Sequence, residues 1–409
     1  MEAYYIKSII GEIAKGMEAL IDEDIIIKDS QVILYGLDRY SFAMRTILSN
    51  LGYNNIAGYL SEDEAAVIWH KAAIEDFACR YLNGRENLIH LWTLRERLIP
   101  FDDNVRILLA TKEYETVKEK LEALGYKEQV HFYSVYDFRD NEINELLEDM
   151  TLMSLDEVKQ AEKEILKQVD EFCRENEIRY WVCGGTLLGT IRHKGFIPWD
   201  DDIDIFMPWE DYLKFAELFQ ETDRYGLIGF GAAGENKLPN LFMKVVNKQT
   251  AMDVNMGTIR EINYLFVDIF PLIGMPENDG ERRKFFMEYQ ELNRRIWQDF
   301  YAANGSLAVF PKWTDRQRAF MEKYDFDNSS YAGVLGTAYG ERDCTCRDVY
   351  RRTIRMPFED IEVNVAEGYE QYLDNLYGKD WRKLPDEDKR RSHHDIKFYR
   401  NDKGMEGDK

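Results

Sequence analysis

The residues able to do chemistry crowd into one stretch, Trp181 to Pro208, which reads WVCGGTLLGTIRHKGFIPWDDDIDIFMP. Four acids gather there: Asp200, Asp201, Asp202 and Asp204. Acid runs are usually solvated surface, but this one lies between Trp199 and the apolar run Ile203 to Met207, a poor place for surface charge. If residues 202–206 form a strand, Asp202 and Asp204 project from one face while Ile203 and Ile205 enter the core. Two carboxylates so close repel each other and lose solvation, which calls for a divalent cation between them. Oxygen ligands alone suit Mg2+ or Mn2+.

A glycine pair, Gly184-Gly185, directly follows the strand-like Tyr180 to Cys183. Without side chains the backbone there can approach a phosphate closely, and Thr186 can add a hydroxyl donor. The following LLGTIR reads as a helix start, which places backbone N–H groups near an anion. Arg192 and Lys194 could balance charge on a transferred phosphate; Lys244, in LFMKVV, and Arg260 are weaker candidates. His193 either binds phosphate or stands exposed. A further acid, Asp268, lies inside the strand-like Tyr264 to Phe270, where a lone Asp costs several kcal/mol unless it is paired or metal-bound. Together these parts suit phosphoryl transfer. The glycine turn holds nucleotide phosphates, Asp202 and Asp204 hold one or two metals, and Asp268 completes the metal site or takes the proton from an attacking hydroxyl.

The elements that must position these residues begin with a helix opened by a capping box, Ser154 to Glu157, with apolar positions Val158, Ala161, Ile165, Val169 and Phe172 on one face. Before it, residues 1–150 alternate strand-like and helix-like segments. Strands are expected at Gln31–Tyr35, 55–61, 105–111 and 130–135. Helices are expected after Gly36, from Ala65 to Arg80, and over 114–126 with Gly125 as a stop. Such alternation favours a parallel sheet covered by helices. The turn at Gly36 has one glycine where a dinucleotide fingerprint has two or three, and the acidic Glu62-Asp63-Glu64 after the second strand is either a ribose contact or a solvated turn. The expected division is 1–150 as an accessory α/β domain, 151–400 as the catalytic region, and 401–409 as a frayed tail.

The string at 184–204 resembles the signature of the LicD family, whose relatives include fukutin and the fukutin-related protein, within the nucleotidyltransferase-like fold of the DNA polymerase beta superfamily. Phe266 to Leu272 (FVDIFPL) is similar to the family's third acidic element, and Tyr372 to His394 to its C-terminal block, so the likeness covers about residues 155–400. It implies an α+β catalytic domain preceded by a Rossmann-like α/β accessory domain. It also implies Asp202, Asp204 and Asp268 as metal ligands and Gly184 and Gly185 as the nucleotide phosphate turn. Thr186, Gly189 and His193 would then be donor-binding, with Arg192 and Lys194 beside the transferred group. The implied reaction moves a phosphorylated alcohol, such as phosphocholine from CDP-choline, to a glycan hydroxyl, and CMP leaves. The acceptor would be teichoic acid, lipopolysaccharide, capsule or a lipid-linked precursor. In fukutin relatives the donor is CDP-ribitol, so the likeness leaves the transferred group open. Glycerol phosphate transfer and NMP addition share the same carboxylate logic. A redox or epimerase activity in the N-terminal domain, or a glycan-binding scaffold, are the readings from other classes.

Composition narrows the field. Of 409 residues 45% are apolar and 32% charged, a globular balance. With 76 Asp and Glu against 53 Lys and Arg, the net charge of -23 excludes a general nucleic-acid binder. Five scattered Cys fit a reducing compartment, and Cys344 and Cys346 lack the second pair a zinc site needs. No apolar run reaches the roughly 20 residues of a spanning helix. A cytoplasmic protein is expected, with room for peripheral contact at a membrane; the oligomeric state is open. Trp209, Trp297, Trp313 and Trp381 either stack on sugar rings or belong to the core.

Overall fold

Two large β-sheets and a separate two-stranded hairpin organise the described residues of a computed structural model, which are 5–36, 38–61, 91–93, 104–138, 145, 147–232, 238–255, 258–387, 390 and 396–401. The first elements are strand β1 (Tyr5–Ser8) and helix α1 (Ile9–Asp22). Then come β2 (Gln31–Tyr35), α2 (Arg39–Asn50), β3 (Ile56–Ser61), β4 (Leu91–Thr93), β5 (Val105–Leu109), α3 (Tyr114–Ala123) and β6 (Phe132–Ser134). Strands β2 to β6 form one parallel sheet in the order β4-β3-β2-β5-β6. The apolar runs expected to be strands supply β2, β3, β5 and β6, and α3 is followed by Gly125 at φ +95, the expected stop. At the turn after Gly36, Asp38 caps α2, its carboxylate accepting from the backbone N–H groups of Tyr40 and Ser41. Glu62, Asp63, Glu64 and the helix expected from Ala65 to Arg80 lie outside the described residues.

The second sheet draws on β7 (Thr151–Leu152) and, past helix α4 (Leu155–Glu175), on β8 (Trp181–Val182), which leads into helix α5 (Gly184–Arg192). Next come β9 (Asp204–Pro208), α6 (Trp209–Leu218), β10 (Tyr225–Gly229), β11 (Met243–Asn255), β12 (Ile259–Met275) and α7 (Asp279–Ala302). The remainder comprises α8 (Thr314–Met321), β13 (Tyr331–Gly333), β14 (Thr345–Cys346), the hairpin β15 (Thr353–Phe358) and β16 (Ile361–Ala366), α9 (Tyr369–Tyr377) and β17 (Lys397–Arg400). β12 is the spine: it pairs antiparallel with β11, β13 and β1, and parallel with β9. Helix α4 starts with the expected capping box, the Ser154 N–H donating to Glu157 Oε2 at 2.8 Å. Its buried face carries Ile165, Leu166 and Val169 into the main apolar cluster of the second sheet and Val158 into a smaller one with Met252, Leu265 and Phe398. No described helix is long and apolar enough to cross a membrane.

The first residues cross the boundary at 150. β1 pairs with the start of β12, Ser8 opposite Ile259, so it belongs to the second sheet. Helix α1 then lays Ile9, Ile10, Ile13, Ala14 and Met17 into a cluster shared by Leu34, Met44 and Leu108 on one side and Ile259, Leu292, Ile296 and Phe300 on the other. The two sheets are therefore joined by a common apolar core.

Candidate active site

The parallel pairing of β9 with β12 sets Asp204 directly opposite Asp268. The antiparallel pairing of β12 with β11 sets Lys244 opposite Asp268 on its other side. Adjacent strands are about 4.8 Å apart, so the three side chains form a row, acid–acid–base, across one face of the sheet. Lys244 Nζ lies 2.6 Å from Asp268 Oδ1, each side chain only 13% exposed, and sits over the Phe266 ring at 3.2 Å. The strand alternation that buries Ile205, Val267 and Ile269 completely is what points the acids to the other face.

Asp202 is not on the strand. β9 begins at Asp204, and the segment before it turns, Asp200 N–H donating to Ile197 O at 3.0 Å, before Asp268 N–H meets Ile203 O at 2.9 Å. The expected alternation of Asp202 and Asp204 along one strand is thus replaced by a turn residue beside a strand residue. Electrostatically they remain neighbours. Burial, then the charges of Asp202, Asp268 and Asp200, push the Asp204 carboxyl well above its ordinary range, while Lys244 opposes.

The glycine pair lies against these acids. Gly184 opens α5 at φ +51, and a Cβ there would stand 3.4 Å from Asp204 Oδ2; a Cβ on Gly185 would stand 2.6 Å from Asp200 Oδ2. The Gly184 N–H donates to Tyr372 Oη at 3.3 Å, and Tyr372 donates in turn to Asp343 Oδ1 at 3.1 Å, so α9 fixes the turn. Thr186 is directed inward: its Oγ1 accepts the Asp204 N–H at 2.9 Å, tying the helix to the first residue of β9. Gly189 is a packing residue. A Cβ on it would meet Gly195 O at 2.4 Å and Ile197 N at 3.2 Å, both backbone atoms that cannot yield cheaply. Gly189→Ala should therefore push the 195–197 loop off α5 and destabilise the fold by about 1–3 kcal/mol, read as a lowered midpoint in urea. An unchanged midpoint would show that the loop is free to move.

The basic residues near the turn mostly serve the scaffold. Arg192 donates to Trp381 O at 2.9 Å and Lys383 O at 3.2 Å, anchoring the segment after α9. Arg260 forms a two-pronged pair with Asp253, away from the carboxylate row. Lys194 is exposed at φ +65, its carbonyl accepting from Glu359 N–H at 2.7 Å. His193 lies edge-on to Trp199, and burial with Arg192 and Lys159 nearby pushes its pKa down, favouring the neutral ring. Trp209, Trp313 and Trp381 are buried and belong to the core, and Trp297 is half-buried, packed on Phe300 and Phe310.

Several residues at the site gave no local signal in the sequence. Asp343 is buried and pushed up to about 6, chiefly by desolvation, against the hydrogen bonds from Thr337 and Tyr372. Tyr339 and Tyr377 meet hydroxyl to hydroxyl at 3.3 Å, within electrostatic reach of Asp204. Glu162, on the inner face of α4, is 1% exposed, and its Oε2 has no hydrogen-bond partner among the described residues. Burial, then Asp202, Asp201, Asp200 and Asp204 in that order, push its carboxyl well up. The one sequence cue was its place between Val158 and Leu166 in an i, i+4 row of the buried helix face.

The donor set suits a hard divalent cation: oxygen ligands, crowded like charges and an orphaned buried carboxylate oxygen. Among the described residues, no three Asp, Glu, His or Cys side chains converge closely enough to hold a metal as they stand. A cavity of about 1160 Å³ lies elsewhere, beside β6, where Thr111, Tyr136, Asp253 and Arg260 are among its lining residues.

Residues 177–326, which contain the glycine turn and both strand acids, match the LicD/FKTN/FKRP nucleotidyltransferase domain. This segment carries the LicD domain. Its similarities include the lipopolysaccharide cholinephosphotransferase LicD of Haemophilus influenzae, 28% identical over 248 residues that cover 56% of this chain and 92% of that protein. The human ribitol 5-phosphate transferase FKRP is 29% identical over 119 residues, covering 28% of this chain and 20% of that protein.

Proposed function

We propose that the chain transfers phosphocholine from CDP-choline to a hydroxyl of a cell-surface glycan or its precursor, releasing CMP. The observation that carries this reading is the register of Asp204 with Asp268 beneath the Gly184-Gly185 turn. The similarity to a cholinephosphotransferase along almost its whole length supports the choice of transferred group. Asp204, with Asp202 and Asp268, would hold Mg2+ or Mn2+, which when bound offsets the negative charge of the diphosphate. The acceptor oxygen bonds to the phosphorus that carries choline, the bond from that phosphorus to the CMP oxygen breaks, and the hydroxyl proton passes to a carboxylate. Asp268, held beside Lys244, is the acid we assign to that proton. The glycine backbone, held by Tyr372, positions the donor.

Similarity to a ribitol 5-phosphate transferase favours a second reading, transfer of ribitol phosphate from CDP-ribitol. A donor screen separates the two. CDP-choline, CDP-ribitol, CDP-glycerol and nucleoside triphosphates are each offered with Mg2+ or Mn2+ and glycan acceptors. The expected outcome is CMP release with CDP-choline and none with the others. CMP from CDP-ribitol alone would select the second reading, and pyrophosphate from a triphosphate would overturn both.

A further inference from the structure

We infer that Glu162 is a cation-binding carboxylate of this site, contributed by helix α4 from behind the acidic turn; this rests on the cation reading above. Three observations converge on it. Glu162 is almost completely buried among the apolar Val158, Ile165, Leu166 and Val169 of its helix face, and unlike Asp170, the other buried acid of that face, it has no Arg partner such as Arg355 among the described residues. Its Oε2 has no hydrogen-bond partner among the described residues, although buried polar atoms are nearly always satisfied. The charged groups that act on it most are acids of the turn, Asp202, Asp201, Asp200 and Asp204.

A buried carboxyl surrounded by like charges needs a compensating positive charge. Lys159, one turn earlier on α4, does not supply it by contact: its ammonium donates to Ile197 O at 3.1 Å and Pro198 O at 2.9 Å, pinning the loop that leads into the acids. A helix residue that merely packed against the turn would be served as well by Leu or Met. Glu at this position gives the turn a further oxygen donor from a rigid element. A divalent cation takes six or more such oxygens, so a site built from Asp202 and Asp204 has room for it.

The test reads cation binding and not turnover. Mn2+ alone is titrated into the full chain, with binding followed by loss of the free-ion electron paramagnetic resonance signal and by the rise in Tm. The wild type should bind Mn2+, and Glu162→Gln should weaken that binding by about tenfold or more, with a Tm in chelator no lower than wild type. If the Gln variant fails to fold, Glu162→Asp, which keeps the charge but withdraws it by one methylene, is read instead and should also bind more weakly. Wild-type affinity in the variant would show a neutral structural acid that Gln replaces, overturning the inference alone. A wild type that binds no Mn2+ while transferring phosphocholine in chelator would overturn the cation reading with it.

Discussion

Asp204→Asn should lower turnover by about 10²–10³-fold or more while leaving the metal-free chain folded and at least as stable as wild type. Two independent facts set the expectation. Asp204 is the strand acid that faces both the glycine turn and Asp268, so the substitution removes the central charge of the site. Its carboxyl is also burdened by burial and like charges, which push its pKa well up. An acid whose folded pKa is raised gives stability that is full below its ordinary value and is lost as pH rises through the raised one. Asn imitates the protonated acid at every pH, so in chelator near pH 7 the variant should melt no lower than wild type. Full activity in the variant would remove the carboxylate from the mechanism. A clear fall in Tm in chelator would show that Asp204 is held by attraction, through Lys244, and not burdened by repulsion.

Deleting residues 1–22 should abolish cooperative folding of the whole chain, the catalytic region included. The deletion removes β1 from the central strand β12 and takes Ile9, Ile10, Ile13, Ala14 and Met17 out of the shared core. At about 1.5–3 kcal/mol for each large buried apolar side chain, the loss approaches the 5–15 kcal/mol that holds a typical domain together. It would also uncover Ile259, Ile296 and Phe300 on the second sheet's side. From sequence, a fragment starting near 151 looks self-sufficient. The shared core says it is not, and such a fragment should be insoluble or lack a thermal transition. A soluble fragment that melts near the wild-type Tm would show that the second sheet carries its own core.

Much of the site was legible because its chemistry is local in the chain. Gly184, Gly185, Asp202 and Asp204 lie within 21 residues of one another, and apolar neighbours marked the acids as misplaced for surface charge. Asp268 was legible for the same reason, an acid inside an apolar strand. What could not be read was partnership across the sheet. The register that sets Asp268 between Asp204 and Lys244 depends on a parallel pairing that no short-range pattern encodes. Thr186 looked ligand-facing because its hydroxyl suits a phosphate turn, and Gly189 was implied as donor-binding by the resemblance, yet helical rotation carries one to the Asp204 N–H and the other to the 195–197 loop. Asp343 and Glu162 come from elements remote in sequence, and a single acid in an amphipathic helix reads as ordinary surface until its face is known to be inward.

The pairing of β1 with β12 has a consequence for synthesis. Ser8 and Ile259 are partners, so β1 must wait for about 250 further residues before its edge exists, roughly 13–50 s at 5–20 residues per second. For that interval the amphipathic helix α1 emerges with its apolar face uncovered. The parallel sheet of β2 to β6 can form first, but it covers that face only in part. Packing around α1 is thus committed late, when β12 leaves the ribosome and offers β1 its partner.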